Sequence, residues 1–202
     1  MTKIKFCGLT RPEDIEISNQ LKPEYIGFVF AEKSKRYVTP KTAAELKKLL
    51  SPEIRAVGVF VNDSPEFIAG LLNNGIIDIA QLHGGEDNEY IKRLRKLTEK
   101  PIIKAFYIET EKDINYAKGS DADYVLLDSG AGTGRVFDWE LIKNIKRPYF
   151  LAGGLSPYNV HKAIETLNPF AVDVSSGIEK NGKKDIEKMT AFISAVRKEY
   201  NL

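Results

Sequence analysis

The order of hydrophobic and polar residues divides the chain into short apolar runs and longer stretches with helical spacing. The apolar runs are rich in β-branched and aromatic residues and recur along the whole chain, which favours strands. We predict strands at residues 4–7, 25–31, 56–61, 77–82, 102–107, 124–128, 149–152 and 171–174. We predict helices at residues 13–21, 40–50, 65–74, 87–98, 111–117, 139–143, 157–166 and 185–199. Strands and helices therefore alternate strictly along the chain.

Three of the predicted helices begin with a capping signal. Thr39-Pro40, Ser64-Pro65 and Ser156-Pro157 each place a hydroxyl at the N-cap and a proline at the first helical position. The hydroxyl accepts a backbone N–H that has no partner inside the helix, and proline has no N–H to leave unpaired. These signals locate three of the turns between a strand and the next helix.

The strands are nearly continuous apolar runs, which is typical of parallel strands covered on both faces. No Pro/Ser linker or low-complexity tract divides the 202 residues, so we predict a single α/β domain over residues 1–202. Strand and helix units in this number favour a (β/α)8 barrel, the TIM-barrel architecture, with minimal loops. An open doubly wound sheet is disfavoured because no Gly-x-Gly-x-x-Gly turn follows the first strand.

Composition narrows the classes of function. Lys and Arg number 30 against 28 Asp and Glu, and a formal charge of +2 predicts no nucleic-acid partner. One cysteine and two histidines predict neither an intramolecular disulfide nor a structural metal. No run approaches the ~20 apolar residues of a membrane span, and the first residues do not resemble a leader, so we expect a cytoplasmic protein without a membrane partner. No predicted helix has an unusually apolar outer stripe, which leaves the oligomeric state open and slightly favours a monomer.

Two strand ends carry side chains suited to acid–base chemistry, because functional residues of these barrels lie at the carboxyl ends of the strands. Cys7 ends the first predicted strand and Asp128 the sixth. Elsewhere, a lone cysteine is usually a small buried hydrophobe and an aspartate often caps a loop. Here, a thiol near cationic groups can serve as a base, and a carboxyl whose pKa is raised can serve as a general acid.

Small residues follow the seventh and eighth predicted strands, as Gly153-Gly154 and Ser175-Ser176-Gly177. Barrels most often bind phosphate at these two strand ends, because backbone N–H groups can approach an anion where side chains are small. Glycine also ends many strands only to turn the chain. The prediction of a phosphate site therefore depends on both turns together.

Arg36 and His83 are candidates for binding substrate. Arg36 lies in the basic loop 32–36 after the second strand, and a guanidinium binds a carboxylate through two parallel hydrogen bonds. Charged loops are mostly solvated, which is our interpretation of Lys33 and Lys35. His83 follows the fourth strand, where the sequence fits a catalyst or substrate contact and a structural donor equally well.

Taken in order, these motifs resemble the phosphoribosylanthranilate isomerase family from one end of the chain to the other. The matching segments are KFCGLT at 5–10, VGVFVN at 57–62, QLHG at 81–84, LDS at 127–129, GTG at 132–134, FDW at 137–139, AGGL at 152–155 and DVSSGIE at 173–179. Single segments occur in many barrels, whereas the ordered set is specific. Two mild departures are Phe6, where isoleucine is commoner, and Arg135, where the family often has lysine.

The resemblance implies an isomerase of tryptophan biosynthesis that works on a small-molecule substrate without a cofactor. The family's reaction is the Amadori rearrangement of N-(5'-phosphoribosyl)anthranilate to 1-(o-carboxyphenylamino)-1-deoxyribulose 5-phosphate, an aldose–ketose isomerisation. By this resemblance Cys7 would be the general base, Asp128 the general acid and Arg36 the contact for the anthranilate carboxylate. The two last turns would bind the phosphate.

Two other interpretations use the same scaffold. Another phosphosugar barrel enzyme, such as a lyase, epimerase or synthase, would usually need a catalytic lysine, a metal or a second carboxylate at the strand ends. Of these the sequence offers only Lys104, which lies before the end of the fifth strand. A noncatalytic phosphate-ligand binder would keep the two small turns, but an acid and a base at facing strand ends argue against it. Substrate turnover separates these interpretations.

Overall fold

Eight parallel strands close into a barrel in a computed structural model that describes residues 1–128, 141–142 and 145–197. The strands run in sequence order around the barrel, and β1 pairs with β8 to close it. They are β1 (Lys3–Cys7), β2 (Tyr25–Val29), β3 (Arg55–Phe60), β4 (Ile79–Leu82), β5 (Ile102–Tyr107), β6 (Tyr124–Asp128), β7 (Tyr149–Ala152) and β8 (Ala171–Val174). The predicted (β/α)8 barrel is confirmed.

In the described ranges a helix follows every strand except β6, whose connection to β7 lies mostly outside those ranges. The helices in these ranges are α1 (Pro12–Leu21), α2 (Pro40–Leu49), α3 (Pro65–Asn73), α4 (Asn88–Arg95), α5 (Glu111–Lys118), α6 (Val160–Leu167) and α7 (Ile186–Arg197). The helix predicted at 139–143 falls mostly outside the described residues. Over the part of the chain that the structure describes, no helix is both long enough and apolar enough to cross a membrane.

Two of the three predicted caps are confirmed. Thr39 accepts a hydrogen bond from the Thr42 amide at 3.1 Å, and Ser64 accepts one from the Phe67 amide at 3.2 Å. The third was wrong, because α6 begins at Val160 and a turn occupies residues 157–159. The Asn159 side chain stabilises this turn by accepting from the Ser156 amide and donating to the Gly154 carbonyl.

Side chains alternate along each strand between the barrel interior and the layer of helices. On β1, Phe6 packs against Phe192 of α7, with 6.3 Å between ring centroids, so Lys5 and Cys7 face the interior. An apolar cluster that includes Val57, Leu126 and Phe150 fills the lower interior. Towards the carboxyl ends of the strands this apolar filling gives way to a small group around Cys7, and the interior opens there.

A short hairpin follows β8, where no element was predicted. After a 3-10 turn at Ser176–Ile178, strand β9 (Glu179–Lys180) pairs with the antiparallel strand β10 (Lys183–Lys184). Asn181 and Gly182 join them with φ angles of 53° and 75°. Two left-handed residues are what a tight hairpin turn requires, and Asn-Gly is the preferred pair. The turn places Lys184 opposite Glu179.

Candidate active site

A cavity of about 410 Å³ opens at the carboxyl ends of the barrel strands. Its lining brings together side chains and turns from β1, β2, β4, β6, β7 and β8. Among the predicted site residues it includes Cys7, Arg36, His83, Asp128, Gly153, Gly154, Ser175 and Ser176. Gly177 is not part of the lining, but it packs directly behind it. The sequence-based candidates therefore occupy one site.

Cys7 reaches the cavity because its neighbour on β2 is a glycine. Cys7 and Gly27 are paired in the β1–β2 register, and a Cβ atom at Gly27 would lie 2.8 Å from the Cys7 sulfur. A methyl group cannot fit at that distance without displacing the thiol. Gly27 thus fixes the space in which the sulfur sits, at 8% exposure.

The surroundings of Cys7 are both buried and charged. Burial raises the pKa of the Cys7 thiol, because a desolvated thiolate is disfavoured, and the nearby ammonium groups of Lys5 and Lys184 oppose this only in part. Lys5 is fully buried and forms an ion pair with Asp173 at 2.9 Å. The cations predicted near the thiol are therefore present. Their effect on the pKa of Cys7 is smaller than that of burial, so the thiol form dominates at neutral pH.

Asp128 lies on a more open wall of the cavity. Its side chain is 28% exposed, and its Oδ2 is 3.8 Å from the Nε2 of His83. Burial lowers the pKa of His83, so its imidazole is neutral at pH 7, although Asp128 pulls in the opposite direction. The Nδ1 of His83 lies 2.9 Å from the Gln81 Nε2, and an amide N–H can only donate. With the Gln81 amide in this orientation, the neutral imidazole of His83 carries its proton on Nε2, facing Asp128.

Gln81 was quoted from the sequence only as part of the QLHG motif at 81–84, and no role was predicted for it. It is 1% exposed, it lines the cavity, and its Oε1 is buried without a hydrogen-bond partner in the described residues. A buried amide oxygen of this kind is unusual and normally finds a partner. Its position beside His83 gives the cavity a polar group that a ligand can satisfy.

The turns after β7 and β8 form the opposite wall. Gly153 and Gly154 adopt φ angles of 95° and 61°, a region that suits glycine. A Cβ atom at Gly177 would lie 1.9 Å from the Leu155 carbonyl oxygen, so the two turns touch backbone to backbone. The Ser175 hydroxyl donates to the Cys7 carbonyl at 3.0 Å. The small residues therefore bring both turns to the end of β1.

Arg36 reaches the same cavity from the loop after β2. Gly8, with φ of 79°, makes room for it, because a Cβ atom there would lie 2.3 Å from the Arg36 Cδ. Arg36 donates through Nε and Nη2 to the two oxygens of Glu179, at 2.7 and 2.8 Å. Lys184 donates to the same carboxylate at 2.7 Å. Arg36 was predicted from the sequence as a substrate contact, whereas no role was predicted for Glu179 or Lys184.

Lys104 does not belong to this site. It faces the helix layer, and its ammonium donates to the carbonyls of Leu82 and Gly84 and to Glu86, at 3.4, 2.7 and 3.2 Å. These contacts use all three of its protons. It borders a separate cavity of about 600 Å³ between α4 and α5, which is larger but holds none of the predicted site residues. Among the described residues, no group of three or more His, Cys, Asp and Glu side chains is arranged to hold a metal ion.

Comparisons with known proteins show which family the sequence matches. The sequence profile of the family described as N-(5'phosphoribosyl)anthranilate (PRA) isomerase matches residues 4–195. A protein of Endomicrobium trichonymphae named N-(5'-phosphoribosyl)anthranilate isomerase is 45% identical over 202 residues, covering 98% of this chain and 99% of its own.

Two solved structures have the same fold. The crystal structure of phosphoribosyl anthranilate isomerase from Thermotoga maritima superposes with a TM-score of 0.91 at 38% identity, covering 98% of this chain and 100% of its own. A phosphoribosyl anthranilate isomerase in complex with reduced 1-(o-carboxyphenylamino)-1-deoxyribulose 5-phosphate superposes with a TM-score of 0.88 at 38% identity and the same coverage. That complex shows what one similar protein binds.

Proposed function

The chain belongs to the N-(5'-phosphoribosyl)anthranilate isomerase family and is an isomerase of tryptophan biosynthesis, and we propose that Asp128 and Cys7 catalyse its reaction as general acid and general base. The reaction is the rearrangement of N-(5'-phosphoribosyl)anthranilate to 1-(o-carboxyphenylamino)-1-deoxyribulose 5-phosphate. The observation that carries the proposal is the shared cavity, which is lined by Cys7, Asp128, Arg36 and the two small turns.

In the first step, Asp128 donates its proton to the ring oxygen of the ribose. The bond between C1 and that oxygen breaks, and the anthranilate nitrogen supplies electrons to form an open-chain iminium. Asp128 lines the cavity and its side chain is 28% exposed, so it can reach the ring oxygen of a bound substrate.

In the second step, the Cys7 thiolate removes the proton from C2. The iminium withdraws electrons from C2 and makes that proton acidic, and the resulting enolamine tautomerises to the ketone product. Lys5 lies beside Cys7 and offsets part of the cost of burying the thiolate, so that the reactive thiolate is a minor form at neutral pH. Positioned proton transfer of this kind typically contributes about 10²- to 10⁴-fold to a rate.

Substrate is held by its anionic groups. The turns Gly153-Gly154 and Ser175-Ser176, backed by Gly177, bind the phosphate through backbone N–H groups. Arg36 binds the anthranilate carboxylate, and His83 donates from Nε2 to the substrate between these ends. Fixing both ends keeps C2 near the Cys7 sulfur, which supplies the positioning part of the rate acceleration.

The direct test is fluorescence-monitored turnover of phosphoribosylanthranilate, generated in situ, by the purified protein. We expect turnover without added metal or nicotinamide, and we expect inorganic phosphate to compete for the phosphate turns. A protein that binds phosphate but does not consume the substrate would contradict the proposal, and would favour a noncatalytic binder on this scaffold.

A further inference from the structure

The hairpin after β8 carries two charged side chains that contact residues lining the cavity. Glu179 and Lys184 are opposite one another in the β9–β10 register, and their side chains are 11% and 1% exposed. The other hairpin lysines, Lys180 and Lys183, are exposed. Burial of one opposite-charge pair on an otherwise solvated hairpin indicates that the pair is held there by specific contacts.

Those contacts form one continuous network. Glu179 accepts from Arg36 at both oxygens, and Lys184 donates to Glu179 and to the Ser175 carbonyl, at 2.7 and 3.0 Å. Ser175 in turn donates to the Cys7 carbonyl. The network therefore connects the arginine on one wall with the phosphate turn and the end of β1.

The contacts of Glu179 also fix which edge of the guanidinium is available. A guanidinium has five N–H donors, and Glu179 takes one on Nε and one on Nη2. Three donors are left, two on Nη1 and one on Nη2. One N–H of Nη1 and the remaining N–H of Nη2 lie side by side and can bind a carboxylate with two parallel hydrogen bonds. The cations Arg36 and Lys184 and the single carboxylate of Glu179 together carry one net positive charge. Although burial disfavours the Glu179 carboxylate, hydrogen bonds from Arg36 and Lys184 hold its pKa at about 2, so the charge is constant at neutral pH.

From this geometry we infer that Glu179 and Lys184 are positioning residues that orient Arg36 for the substrate carboxylate. The pair makes the site specific for a substrate with a carboxylate on its aromatic ring. The inference rests on the proposed contact between Arg36 and that carboxylate. In addition, the hairpin determines the orientation of the Arg36 guanidinium and the net positive charge around it.

The test compares two substrates in variants of the hairpin. One is phosphoribosylanthranilate, and the other is its analogue made from ribose 5-phosphate and aniline, which lacks the carboxylate. We expect Glu179→Gln to raise KM about tenfold for the first and to leave KM for the second within about twofold, because a near-isosteric amide loses one acceptor and the charge. Glu187→Gln, on the exposed face of α7, is the matched control and should change neither.

A double-mutant cycle identifies the residue through which Glu179 acts. In an Arg36→Ala background, Glu179→Gln should have no further effect on KM for phosphoribosylanthranilate. Lys184→Met should raise the same KM, whereas Lys183→Met, the same change on the exposed strand neighbour, should not.

An equal rise in KM for both substrates in Glu179→Gln, or no rise for either, would overturn the inference. If Arg36→Ala changes the ratio of the two KM values but Glu179→Gln does not, Arg36 contacts the carboxylate and only the positioning role of Glu179 is wrong. If Arg36→Ala leaves that ratio unchanged, the carboxylate contact and the positioning role are both wrong.

Discussion

The two sides of the cavity hold their catalytic groups in different ways. On the base side, Cys7 is 8% exposed and sits among Lys5, Asp173 and Lys184, in space set by Gly27. On the acid side, the Asp128 side chain is 28% exposed, with His83 at 3.8 Å. The comparison teaches that burial and fixed charges control the protonation of Cys7, whereas Asp128 lies where solvent and substrate can reach it.

Replacing the group on the buried side should have the largest effect. We expect Cys7→Ser to lower kcat by at least ~100-fold, because a hydroxyl in the same place is a far weaker acid and cannot supply the base. The fold and the affinity for inorganic phosphate should be nearly unchanged, as measured by thermal unfolding and by competition. Near-normal turnover in this variant would remove Cys7 from the mechanism.

On the open side, Asp128→Asn should depress kcat by about 100-fold, since an amide cannot deliver a proton to the ring oxygen. The amide is similar in size, so KM should change little. Steady-state kinetics on the purified variant measures both values. A rise in KM with kcat preserved would instead indicate that Asp128 only binds substrate.

The turns that support the base side can be tested without touching either catalytic group. In Gly177→Ala the new methyl group would collide with the Leu155 carbonyl, 1.9 Å from the ideal Cβ position. We expect the two turns to separate and KM to rise about tenfold, with weaker inhibition by inorganic phosphate. Gly70→Ala on α3 is the control, because nothing lies within 4 Å of its added Cβ. Equal behaviour of the two variants would argue against the phosphate site.

The smallest effect is expected for Gln81, which acts on the acid side through His83. Gln81→Met removes the amide that donates to His83 Nδ1, so the imidazole can change tautomer and rotate. We expect a loss in kcat/KM of about threefold, the size of one modest hydrogen bond. The melting temperature should not fall, because the buried and unpartnered Oε1 is also removed. A fall in the melting temperature with unchanged kinetics would make Gln81 a structural residue only.

Much of this fold could be predicted from local pattern. The strands at Tyr124–Asp128 and Tyr149–Ala152 were predicted with their observed bounds, because each is a short apolar run flanked by polar or small residues in the sequence. The start of α6 was wrong, since Asn159 forms a turn that the Ser156-Pro157 signal does not reveal. The hairpin at 179–184 was missed, although Asn181-Gly182 is the strongest short signal for one.

Most of the predicted site residues line one cavity, but Gln81, Glu179 and Lys184 were missed and the electrostatics of the site could not be predicted. The strand-end rule placed Cys7, Asp128 and the small turns together, because parallel strands of a barrel all end at one face. The ion pair of Arg36 with Glu179 spans 143 residues in sequence, and the burial of Lys5 depends on the closed barrel. Such contacts follow from tertiary packing, so no local pattern shows them. The same is true of the raised pKa of Cys7, which contradicts a simple expectation from nearby cations.

The most direct test of Cys7 as the base is its rate of alkylation by iodoacetamide as a function of pH, compared with the pH dependence of kcat/KM. The chain has one cysteine, so the modified residue is unambiguous. Burial raises the Cys7 pKa, and both rates should therefore increase with pH above neutrality. Both should have the same midpoint, above the value of about 8.5 for a free thiol. A midpoint in kcat/KM that differs from the alkylation midpoint, or activity that persists after complete alkylation, would contradict the role of Cys7.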